Sequence, residues 1–152
     1  MDDLVEQITR GNVSGVKIVL ATVVAVLSTY QVALMAVGYG KVKLPFLTPK
    51  PASFAHRALG DMILVITLFV AWMCVTYFEI SDGIEHAVDG ETGRATVHVI
   101  AGSALVLLLT LKVVVVRWWH AAGRFLPAIG LSIFGAFVVT WFTSAGDYLL
   151  GA

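Results

Sequence analysis

Four apolar runs, almost free of charge, determine the solvent into which this chain must fold. Residues 18–37 and 62–78 contain no charged side chain, residues 95–116 contain only Lys112, and residues 125–146 contain none. A helix rises about 1.5 Å per residue, so about 20 such residues cross the hydrocarbon layer of a bilayer. Four crossings and their connections use nearly all of the 152 residues. With 59% hydrophobic and 13% charged residues, the composition excludes an ordinary water-soluble domain. The expected fold is all-α: a single integral membrane bundle over residues 1–152, with helices at about 17–38, 56–80, 94–119 and 125–149. Pro127 falls in the first turn of the last helix, where the missing N–H costs nothing.

The connections are a segment containing Pro45, Pro49 and Pro51, an acidic stretch at 81–93, and a short turn around Ala121, Ala122 and Gly123. Lys41, Lys43, Lys50, Arg57, Lys112, Arg117 and Arg124 fall at one end of the bundle, opposed only by Asp61. The other end carries Asp2, Asp3, Glu6, Glu79, Asp82, Glu85, Asp89, Glu91 and Asp147 against Arg10, Lys17 and Arg94. The excess of bases marks a cytoplasmic side, so both termini are expected outside the plasma (inner) membrane, with the basic loops within. The start of the chain lacks the basic and small-residue pattern of a cleaved leader, so the first helix is expected to be retained. Trp118 and Trp119 read as interfacial anchors, and Cys74 as packing. Ala128, Ser132 and Ala136, flanked by Gly130 and Gly135, suggest a close helix contact.

Ionisable residues at membrane depth are costly unless paired, hydrated or ligated, so they are the candidates for chemistry. His56 opens the second helix in HRALGD, and His98 opens the third in HVIAGS; each has a glycine one turn on, Gly60 and Gly102. That spacing could leave flat space beside an imidazole for a planar ligand, and haem b is the candidate. His56 and His98 lie at opposite ends of antiparallel helices, about 30 Å apart, and cannot share an iron. The pairings left are His56 with His120 and His98 with His86. Arg57, Arg117 and Arg124 are placed for inner propionates, and Arg94 for an outer one. Asp61 and Lys112 reach similar depths and are expected to form an ion pair that fixes register, with a proton relay or quinone contact as the functional reading. Tyr30 and Gln31 are expected to hydrogen-bond inside the bundle, and Glu79 or Asp147 to orient His98.

The HRALG run resembles the first haem-ligand segment of ferric-reductase-type membrane cytochromes b, and H-x-x-x-G is similar to a motif of related di-haem membrane cytochromes. Where those helices carry a second histidine three to four turns on, this chain has Phe69 and Leu111, a departure from a stacked pair of haems. Over most of its length the chain resembles an uncharacterised bacterial family of small four-helix membrane proteins, with KVVVVRWW and WFTSAGDYL as similar stretches. The cytochrome resemblance implies a membrane-embedded b-type-haem electron-transfer protein working with a quinone or a redox partner protein. The alternative is a cofactor-free structural or assembly subunit of a membrane respiratory complex. A homo-oligomer or larger complex is compatible with either. A small transporter has thin support in one charged pair, and no phosphate loop or nucleophile elbow is present. The dispersed bases give no basis for nucleic-acid binding.

Overall fold

A computed structural model describes residues 7–77, 93–146 and 149. It has four helices long and apolar enough to cross a membrane. They are α1 (Val13–Gly38), α2 (Pro49–Tyr77), α3 (Gly93–Arg117) and α4 (Leu126–Trp141); a 3-10 turn, His120–Phe125, leads into α4 and a π turn, Phe142–Gly146, continues it. At most 22% of the most apolar stretch of any span is buried within the protein. Apolar side chains such as Val19, Val65, Leu107 and Leu131 point outward, an arrangement that lipid, not water, solvates.

Local chemistry sets the helix ends. Arg10 and Gly11 adopt positive φ, turning the chain into α1, and the Asn12 side chain accepts a hydrogen bond from the Gly15 N–H at 3.0 Å. At the other end, Gly40 takes φ +67° while its N–H bonds the Val37 carbonyl and the Lys41 N–H bonds that of Ala36. This paired closure lets a left-handed glycine satisfy the last carbonyls of α1. The proline segment, expected as a loop, is partly helical: α2 begins at Pro49, and the Ala52 N–H bonds the Thr48 carbonyl. Pro49 and Pro51 sit in the first turn, where an N–H has no intrahelical partner to lose.

The bundle packs in the cyclic order α1, α2, α3, α4. Contact is close between α1 and α2 and between α3 and α4, less so between α4 and α1, and least between α2 and α3. Val24, Ile63, Leu105, Leu109, Ile133 and Phe137 bring all four helices into one mid-membrane core. Val13 and Met73 close one end. Leu34, Val37 and Ala52 close the basic end beneath Leu44 and Leu47 of the α1–α2 connection. Trp141 Nε1 donates to Thr22 Oγ1 at 3.1 Å, tying α4 to α1. The small-residue row of α4 is split: Ala136 packs against the shared core, whereas Ala128 and Ser132 are exposed. Gly130 is the residue that approaches α1, its built Cβ position lying 4.0 Å from Met35 Cε.

Candidate intramembrane polar sites

The first polar site lies toward the basic end, where α1, α2 and α3 bring Gln31, His56, Asp61 and Lys112 into one neighbourhood. Gln31 Nε2 donates to the His56 carbonyl at 3.0 Å. That bond ties α1 to α2, as expected of Gln31, whereas Tyr30 is half-exposed on the outer surface. His56 Nδ1 and Gln31 Oε1 are both buried without a hydrogen-bond partner. Lys112 acts on His56 as the strongest neighbouring charge, and Asp61 is the carboxylate whose field reaches Lys112. Thr67, further along α2, is buried with its hydroxyl unpartnered. It contrasts with Ser28, Thr29, Thr76, Thr110 and Thr140, whose hydroxyls donate back to carbonyls three or four residues earlier.

A second site lies toward the opposite end, around His98. Its Nδ1 is 3.0 Å from Thr143 Oγ1. The Thr143 hydroxyl also lies 2.8 Å from the Val139 carbonyl and 3.2 Å from that of Thr140. Carbonyls only accept, so the single hydroxyl hydrogen is committed to them, and Thr143 can only accept from His98. That arrangement favours the tautomer with the proton on Nδ1 and the lone pair on Nε2. A second acceptor, the backbone of Thr140, acts on the same imidazole. Thr143 lies within the π turn that continues α4, and from there it meets His98 on α3. Lys17 and Arg94 are the positive charges that act on His98.

These contacts redistribute the residues singled out from sequence. Glu79, His86 and Asp147 lie outside the described residues, so Thr143 is the observed orienting partner of His98. His120 is exposed in the 3-10 turn. Arg117 and Arg124 are exposed at the same end, and Arg124 stacks on Phe125 at 4.8 Å. Arg57 opens onto a surface groove with Pro49, Lys50, Ser53 and Phe54. The flat space anticipated beside the glycines is taken by neighbouring helices. A Cβ on Gly60 would lie 3.7 Å from Gln31 Nε2, and one on Gly102 would lie 4.0 Å from Thr140 Cγ2. Among the described residues, no three His, Cys, Asp or Glu side chains gather as a metal site.

His98 and His56 are the imidazoles held inside the bundle: His98 Nδ1 is hydrogen-bonded to Thr143 with Lys17 and Arg94 nearby, and His56 Nδ1 is buried without a partner. The glycines beside them pack against neighbouring helices, and the seam between α2 and α3 is the least closely packed of the bundle.

Four apolar spans with polar groups held at depth make this a polytopic α-helical membrane protein. The chain matches, over residues 5–151, the model of a family of unknown function, DUF6529, and it belongs to that family. No curated protein and no solved structure matches it.

Proposed function

We propose that this protein is a membrane-embedded electron-transfer protein that takes b-type haem, with His98 on α3 as the leading ligand and His56 on α2 as the second candidate. The observation that carries the reading is the hydrogen-bond chain from His98 Nδ1 through Thr143 to the Val139 carbonyl, which favours the tautomer with its proton on Nδ1 and its lone pair on Nε2, the form that donates to iron. A bound haem would supply a one-electron carrier within the bilayer. Around it, Thr143 and the Thr140 backbone hold the imidazole's tautomer and plane. Lys17 and Arg94 offset propionate charge at the His98 end, and Arg117 and Arg124 do so at the basic end. The electron partner is a quinone or another redox protein. Orientation follows the bases: the connection bearing Lys41 and Lys43 and the α3–α4 turn face the cytoplasm, and both termini lie outside the plasma membrane.

A second reading, a cofactor-free structural or assembly subunit of a larger membrane complex, is favoured by one feature: Gly60 and Gly102 both serve helix packing. A reduced-minus-oxidised visible spectrum of purified protein expressed with ample haem, with haem quantified per chain, separates the two. Sharp α and Soret bands that disappear in His98→Ala would support the electron-transfer reading. A colourless protein would overturn it and leave the packing reading.

A further inference from the structure

We propose that the first two turns of α2 form a binding site for the headgroup of an anionic phospholipid at the basic face of the bundle. Lys50, Ser53 and Arg57 are spaced at i, i+3 and i+7, which places them on one face of the helix. With Pro49 and Phe54 they line a groove of about 350 Å³, of the size of a phosphate-bearing headgroup rather than a whole lipid. Both cations are exposed, and among the described residues no carboxylate forms an ion pair with either. No acid lines the groove. Two cations without an ion-pair partner match a phosphodiester by supplying charge-assisted donors, while Ser53, half-buried with its hydroxyl against Gly38 of α1, lines the inner wall.

The position selects a lipid over a soluble anion. The groove lies at the end of a membrane span, so an occupant's phosphate meets Lys50 and Arg57 while its acyl chains continue along α2 beside exposed Met62 and Val65; Asp61, exposed one turn beyond Arg57, is the nearest carboxylate on that helix. Phe54 and Phe46 are 75% and 81% exposed at this same end, suited to the glycerol and upper acyl region. Lys41 and Lys43, also exposed, add charge of the same sign nearby. The groove is on the outward side of α2 and involves neither His56 nor His98, so the inference is independent of the proposed haem.

The test uses the full-length protein in zwitterionic micelles, with phosphatidylglycerol, phosphatidylcholine or inorganic phosphate added, and reads retained adducts by native mass spectrometry. Phosphatidylglycerol should be retained preferentially, with affinity falling about fivefold for Lys50→Gln or Arg57→Gln and about twenty-five-fold for the double variant. Lys43→Gln should fall by less than half as much. All three positions are exposed, and an unchanged circular dichroism spectrum and elution volume would confirm that the variants fold. Equal retention of phosphatidylcholine, or full retention of phosphatidylglycerol by the double variant, would overturn the site. Inorganic phosphate competing at equal concentration would overturn the choice of a lipid.

Discussion

Replacing Gly60 by alanine should leave the bundle as stable as before or slightly more so, although this glycine sits one turn from a histidine in a motif that invites the opposite expectation. The added methyl would lie 3.7 Å from Gln31 Nε2, an ordinary van der Waals distance to the mobile end of a side chain. Alanine also restricts the unfolded backbone, a gain of up to about 1 kcal/mol inside a helix. Gly146→Ala provides the contrast. Its methyl would meet the Trp141 ring at 3.2 Å, the Phe142 ring at 3.3 Å and the Trp141 carbonyl at 3.3 Å. The carbonyl cannot yield without opening the π turn, so a loss of about 1–3 kcal/mol is expected there. Unfolding by sodium dodecyl sulfate in mixed micelles, followed by circular dichroism, measures both differences. A Gly60→Ala protein destabilised by more than about 1 kcal/mol would refute the placement of Gln31 beside Gly60. If Gly60→Ala folds normally but loses haem that the wild type holds, the ring lies against Gly60.

Thr143→Val should weaken haem retention about 10- to 100-fold while Thr143→Ser retains it, because serine keeps the acceptor for Nδ1–H; haem remaining per chain after serial dilution is the readout. Thr22→Val strands the Trp141 indole N–H and should cost about 0.6 kcal/mol, visible as a small shift of the detergent unfolding midpoint and absent in a Trp141→Phe background. In a double-mutant cycle, Lys112→Met with Asp61→Asn should show coupling of about 0.5–3 kcal/mol; strictly additive effects would show that the two charges do not stabilise one another.

The spans were legible because one signal dominates them: about twenty uncharged apolar residues admit few alternatives to a membrane helix. Their ends were harder to read. The start of α2 was hidden because Pro49 and Pro51 signal a loop in most contexts and are harmless only in a first turn. Gln31 was readable as a residue needing a partner, but its choice of the His56 carbonyl depends on how α1 crosses α2. Thr143 went unnoticed because a hydroxyl near the end of a span usually bonds its own helix. It does so here as well, and the additional reach to His98 depends on a π turn with no simple sequence pattern. The α4 row of small residues was legible only in part, because spacing identifies a face without saying which way it is turned: Ala136 packs inward while Ala128 and Ser132 face outward.

Polar groups in this bundle follow different rules at its two ends, and the difference bears on what each can do. Around His98 the local hydrogen bonds form a chain: Nδ1 meets the Thr143 hydroxyl, which in turn donates to the Val139 carbonyl of its own helix. Around His56 a buried nitrogen and the Gln31 carbonyl oxygen both lack partners, although Gln31's amide group is itself pinned. An unpaired buried polar atom costs about 1–3 kcal/mol, so the His56 end is held at an energetic cost that the hydrogen-bonded His98 end does not carry.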